Sequence, residues 1–104
     1  MNKVILVGNL TRDPNVKITS TGKSVVNFNI ATNEGFGDKK RGEFHNIVGW
    51  EKHAEAVGNN LSTGSTVLIE GRLQTRNYEG KDGNKRSITE VVMTAMPQFL
   101  SPRK

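Results

Sequence analysis

An all-β fold, a small Greek-key barrel of five strands with one short helix between the third and fourth, is predicted by three features of this 104-residue sequence. Apolar residues recur at alternate positions in several short stretches, the period of a strand with one buried face. Gly, Asn and Asp clusters punctuate those stretches at turn-like intervals. A single segment, Glu51 to Leu61, carries helical spacing instead.

The first strand is the β-branched run Lys3 to Gly8. A glycine late in a strand marks a bulge or sharp bend, the device by which small barrels turn corners. Asp13-Pro14-Asn15 is a turn, after which Val16-Lys17-Ile18 reads as a brief continuation of the first strand. Thr19 to Gly22 turns the chain again. Ser24 to Thr32 alternates, with Val26, Phe28, Ile30 and Thr32 on the face expected to be core. Asn33 to Gly42 holds three glycines around Phe36 and is too long for a tight turn, so a mobile hairpin tip is expected.

Glu43 to Trp50 is the third strand, with Phe44, Asn46, Val48 and Trp50 on one face and His45, Ile47 and Gly49 on the other. In the helix, Ala54, Val57 and Leu61 form the apolar stripe, and Gly58-Asn59 weakens the last turn. Thr66 to Tyr78 is a long fourth strand bent at Gly71. Asp82-Gly83 is the turn signal of a second hairpin tip. Ser87 to Thr94 is the fifth strand, and the apolar tail Met96 to Leu100 packs back on the domain. One domain over residues 1–100 and a frayed end at 101–104 are expected.

That order is the order of the OB barrel. A ubiquitin-like roll also mixes strands with a helix, and the pair of long Gly-rich hairpin tips on each side of the helix favours the OB reading. Hydrophobic residues make up 34% of the chain, so the core is small.

Composition narrows function as well. Lys and Arg total 15 against 10 Asp and Glu, a net charge of +5 that favours an anionic partner such as nucleic acid. With no cysteine, a disulfide framework, a thiolate zinc site and a cysteine nucleophile are all excluded. The two histidines, His45 and His53, lack partners at metal-ligand spacing. Neither a phosphate-binding G-x-x-x-x-G-K-[ST] loop nor a G-x-S-x-G elbow is present, and no carboxylates pair at catalytic spacing. A non-enzymatic protein without metal or cofactor is expected. No apolar run approaches the ~20 residues that span a bilayer, so a soluble, cytoplasmic protein is expected too.

The binding argument rests on the aromatic side chains. Phe28 lies in an unbroken apolar face and Phe99 in an apolar tail, so both read as packing. Phe44 and Trp50 share the strand face opposite Ile47, which the barrel can bury instead; at ~3.3 Å per residue they stand about 20 Å apart. Two buried rings are the competing reading, since Val48 lies between them. Phe36 and Tyr78 lie at or near hairpin tips, where a large ring has no core to enter. Phe36, between Gly35 and Gly37, reads as a probe or as an interface anchor.

Cations accompany these rings. Lys39, Lys40 and Arg41 follow Phe36, Lys52 follows Trp50, Arg72 and Arg76 precede Tyr78, and Lys81, Lys85 and Arg86 follow it. Charged hairpins can simply be soluble, but both tips show the same aromatic-plus-basic composition. Rings that accept unpaired bases of any sequence, beside cations that neutralise phosphates, suit single-stranded nucleic acid. Duplex DNA hides its base faces, and the one short helix carries one lysine against two glutamates, unlike a major-groove reader. Phe36, Phe44, Trp50 and Tyr78 are the candidate stacking residues, and the nine cations just named are the candidate phosphate and backbone contacts. The apolar first strand with its free edge, Lys3-Val4-Ile5-Leu6, is a candidate for pairing with a second copy across a two-fold.

Asn2 to Leu10 followed by Asp13-Pro14 resembles the opening of bacterial single-stranded DNA-binding proteins. So do Phe28 to Thr32, Gly64-Ser65 with Ile69 to Leu73, Thr75 to Tyr78, and Thr89-Glu90-Val91, in order through nearly the whole chain. The resemblance implies an OB fold, sequence-tolerant binding of single-stranded DNA in replication, recombination and repair, weaker binding of RNA, and a homotetramer or homodimer. It implies aromatic platforms at Phe36, Phe44, Trp50 and Tyr78, where the commonest pattern favours tryptophan at several places. Lys39, Lys52 and Arg76, with Arg72, would contact phosphate, while Asn46, Thr63 and Asn77 stand where some relatives carry a basic residue. His45 falls near a subunit contact by this resemblance; a hydrogen-bonded strand histidine is the simpler reading.

Family members usually continue into a flexible linker with an acidic tip that recruits other proteins, whereas this sequence stops at Lys104. Tail-mediated partners are therefore not expected for this polypeptide. The setting implied is the bacterial nucleoid or a phage-infected cell. A primosome-type paralogue, an RNA chaperone resembling cold-shock domains, and a small-molecule OB module are the alternatives, in falling order.

Overall fold

The computed structural model describes residues 1–34 and 41–100, without the side chains of Glu34 and Arg41. Phe36, Lys39, Lys40, the Arg41 side chain, residues 35–40 of the expected first hairpin tip and the segment 101–104 thus lie outside the described residues, whereas Asn33, Glu34, Arg41 and Gly42 of that expected tip are paired as strand. The elements are β1 (Val4–Leu10), β2 (Asn15–Ile18), β3 (Ser24–Glu34), β4 (Arg41–Trp50), α1 (Lys52–Asn60), β5 (Thr66–Glu79), β6 (Lys85–Met93) and β7 (Gln98–Phe99). The five long strands and the helix between β4 and β5 are those expected from the sequence.

Strands neighbour one another in the order β1-β3-β4-β6-β5-β7, and β5 also pairs with β1. All pairings are antiparallel except β4–β6, which meet in parallel over two residue pairs, Ile47↔Val91 and Val48↔Val92. This is the partly open OB arrangement. One pairing differs from the expectation. Val16 to Ile18 does not continue β1 but forms β2, which pairs with β3 from Asn15↔Asn27 to Ile18↔Ser24. The apolar tail packs back on the domain as expected, pairing as β7 with Phe99 opposite Val67 and against the core.

The core is built from the inward alternation of the strands: Val26, Phe28 and Ile30 of β3, Ile47 of β4, Val67 and Ile69 of β5, Val91 and Met93 of β6. Each such side chain contributes about 1.5–3 kcal/mol when taken from water. The helix supplies Ala54 and Val57 to the same cluster, and Leu61 follows it. It runs on through Gly58 to Asn60. A Cβ at Gly58 would meet Val16 Cγ2 at 2.8 Å, so the bare backbone lets β2 lie against the helix.

Two glycines let strands change partners. Gly71 is paired with Val4 of β1 on one side and with Met93 of β6 on the other. A Cβ there would run into the Val92 carbonyl oxygen. At Gly8, just before β1 passes from β5 to β3, a Cβ would stand 2.5 Å from the Ala31 carbonyl oxygen. The bends read from sequence are therefore sites of close backbone approach.

The loops are tied down by polar contacts. Asp13 Oδ1 accepts hydrogen bonds from the Thr63 backbone N–H and hydroxyl, both at 2.8 Å, linking the β1–β2 turn to the segment before β5. Those bonds, the backbone one first, hold the Asp13 carboxyl below the usual aspartate range. Glu51, between Trp50 and the helix, takes φ 55° and ψ −120°, a left-handed conformation that costs a non-glycine residue about 1–3 kcal/mol. It turns the chain from strand to helix in one step.

Candidate nucleic-acid interface

Alternation along β4 decides which side chains leave the core. Ile47 and Gly49 point inward and are buried, so Phe44, Asn46 and Trp50 point out. Phe44 is 69% exposed and Trp50 42%. The competing reading of two buried rings is excluded. Val48, on the same outward face, is nonetheless buried, because Asn27 of β3 and Val92 of β6 flank it directly.

The same face continues onto β5 through Arg72, Gln74, Arg76 and Tyr78, which alternate along that strand. Tyr78 is 48% exposed and lies opposite Arg86 in the β5–β6 ladder. Two concavities mark this face. One is a groove lined by Val48, Trp50, Gln74, Arg76, Glu90 and Val92, with Val25 and Asn27 at its β3 side. The other lies against the hairpin and is lined by Tyr78, Lys85, Arg86 and their neighbours. Three described rings therefore stand open on one outward surface.

The cations divide into free and engaged. Lys52, Arg72, Lys81 and Lys85 are exposed, and no ion pair holds them among the described residues. Arg86 Nη2 donates to Asp82 Oδ2 at 2.9 Å across the turn, with both partners exposed. Asp82 also accepts from the Asn84 backbone N–H and side chain at 3.1 Å. The Asn84 backbone bond first, and then Arg86, hold its carboxyl below the usual range. The Asp82-Gly83 turn is formed as expected, with Gly83 at φ 81°.

Arg76 is different. Its Nε donates to Glu90 Oε1 at 2.8 Å, and Glu90 is only 5% exposed. Neither Glu90 nor Gln74 is given a role at this face by the sequence alone. The available signal was the hairpin itself: a turn at Asp82-Gly83 sets Arg76 opposite Ile88 and diagonal to Glu90.

On the other side of the molecule, β1 pairs with β5 from Val4 to Asn9 but with β3 only at Asn9 and Leu10. The second edge of Val4 to Gly8 has no strand partner among the described residues. Val4 and Leu6 pack against the core, whereas Ile5 and Val7 are exposed. Lys3 Nζ lies 3.7 Å from Glu70 on β5. His45 is half-buried, with Nε2 2.9 Å from the Thr32 hydroxyl, the hydrogen-bonded strand histidine of the simpler reading. Desolvation, with Lys52 nearby, lowers the pKa of His53. No group of three or more His, Asp or Glu side chains capable of holding a metal ion occurs among the described residues, and no described helix is long and apolar enough to cross a membrane.

Comparison with known proteins agrees with this geometry. Residues 1–99 match the single-strand binding protein family. A single-stranded DNA-binding protein of Bacillus cereus is 47% identical over 106 aligned residues, which cover 99% of this chain and 62% of the relative. Another from Bacillus anthracis is 47% identical, covering 99% and 61%. A protein named single-stranded DNA-binding protein 1 from Staphylococcus aureus is 44% identical, covering 99% and 67%. The chain thus spans somewhat under two thirds of the length of the Bacillus relatives.

Proposed function

Because the chain belongs to the single-strand binding protein family, we propose that it binds single-stranded DNA without sequence preference and protects it during replication, recombination and repair. The observation that carries this reading is the set of three rings, Phe44, Trp50 and Tyr78, exposed on one outward face of the sheet. Unpaired bases stack on such rings whatever their identity, each stack contributing about 1–3 kcal/mol. Lys52, Arg72, Lys81 and Lys85 neutralise phosphates beside them, which releases counterions and gives affinity that falls with salt. Phe36 would add a further stack, and Lys39, Lys40 and Arg41 further phosphate contacts.

One such face is small, and several joined on one strand bind with higher avidity. The free edge of β1, with Ile5 and Val7 exposed beside it, supports self-association into a homodimer or homotetramer through Lys3 to Leu6, with His45 near the contact. The protein would act in the cytoplasm, and RNA would bind more weakly than DNA.

Titration with poly(dT), poly(rU) and a duplex at two salt concentrations, followed by Trp50 fluorescence, tests the reading. Strong quenching by poly(dT), weaker response to poly(rU) and little to duplex are expected, with a log–log salt slope of about −0.7 per phosphate neutralised. Sedimentation of the same samples is expected to give a multiple of the chain mass. Equal affinity for duplex, or no quenching by poly(dT), would overturn the DNA-binding reading; a single-chain mass would overturn self-association.

A further inference from the structure

The groove beside Trp50 holds the one charged side chain that is buried among the described residues, Glu90. It lies on β6, on the face proposed to meet a polyanion, where a carboxylate repels phosphate. Its partner is Arg76, whose Nε donates to Oε1 at 2.8 Å. The remaining groups that line the groove among the described residues, Val25, Asn27, Val48, Trp50, Gln74 and Val92, are uncharged. We propose that Glu90 neutralises Arg76, so that the strand is held at the Trp50 groove by stacking and not by a phosphate contact. This rests on the reading of the face as a binding site for single-stranded DNA.

The two arginine pairs described on the face show why. Arg86 and Asp82 are both exposed, and a pair in water is worth little, so a phosphate displaces Asp82 readily. Glu90 is enclosed. If Arg76 left it for a phosphate, an uncompensated carboxylate would remain in a buried site, which is strongly unfavourable. Arg76 therefore keeps its Nε on Glu90, and although its side chain is 57% exposed, the pair adds no net charge to the groove. Among the described residues, the cations that set the salt dependence are those elsewhere, Lys52, Arg72, Lys81 and Lys85. Glu90 limits affinity at the centre of the face and eases release of the strand there.

The test is the salt slope of poly(dT) binding for wild type, Glu90→Gln and the double variant Arg76→Gln/Glu90→Gln, with a thermal melt to show that each is folded. Glu90→Gln keeps an acceptor for Arg76 but exposes one net positive charge. Its slope is expected to steepen by about 0.7, so a fourfold rise in salt weakens it roughly 2.6-fold more than wild type. The double variant removes both charges, leaves no buried ion without a partner, and is expected to keep the wild-type slope. A wild-type slope for Glu90→Gln, or a double variant shallower by about 0.7, shows that Arg76 already contacts phosphate and overturns the proposal. Should Glu90→Gln not fold, the double variant decides alone. Absence of poly(dT) binding by the wild type would overturn the underlying function itself, a result distinct from any ordering of the slopes.

Discussion

Phe44→Ala weakens binding of single-stranded DNA by about 1–3 kcal/mol, a roughly 5- to 140-fold rise in Kd at fixed salt, and leaves thermal stability unchanged. The ring is 69% exposed, so its removal opens no cavity in the core. The salt slope also stays the same, because a ring neutralises no phosphate. Trp50→Ala and Tyr78→Ala are expected to fall in the same range. Phe44 and Trp50 stand about 20 Å apart along β4, beyond the distance at which substitutions interfere, so the double variant loses about the sum of the two. Fluorescence or anisotropy titrations beside thermal melts separate the outcomes. Lost stability with unchanged affinity would identify the rings as packing elements.

Gly71→Ala has the largest expected effect on the fold, a loss of about 3 kcal/mol or more and a fall in Tm of roughly 10–20 °C. The added methyl would run into the Val92 carbonyl oxygen and stand 2.8 Å from Val91 Cγ1. Backbone yields less readily than a side-chain end, so β5 and β6 must part at the place where β5 changes partners. Gly42→Ala on β4 is the control: among the described residues its methyl would meet only Asn33 Oδ1 at 3.8 Å, and a change within about 0.5 kcal/mol is expected. Equal melting temperatures for Gly71→Ala and wild type would show that the close approach is absent.

Much of this architecture was legible because burial and turn chemistry are local signals. The alternation of Val26, Phe28 and Ile30 marked the inner face of β3, and Asp82-Gly83 marked a turn. The stripe Ala54, Val57 and Leu61 marked the helix, and all of these side chains are buried. Ile47 opposite Phe44 and Trp50 was enough to read which side of β4 would face solvent. Pairing is different, since it depends on residues far along the chain. Residues Asn15–Ile18 are exposed throughout and carry no burial pattern, so nothing local assigned β2 to β3. The β3–β4 ladder runs on to Asn33↔Gly42 and Glu34↔Arg41, where a partner strand overrides the weak β-propensity of Asn and Gly. The Arg76–Glu90 pair was hidden for the same reason: a glutamate in a strand reads as solvated until its neighbours are placed around it.

Photo-cross-linking of an oligo(dT) carrying 5-iodouracil, followed by mapping of the cross-linked peptides, addresses the open aromatic face most directly. Adducts on Phe44, Trp50 and Tyr78, competed away by poly(dT) and not by duplex, are the expected result. Adducts confined to the outer side of β1 or to α1, with the three rings unmodified, would contradict it.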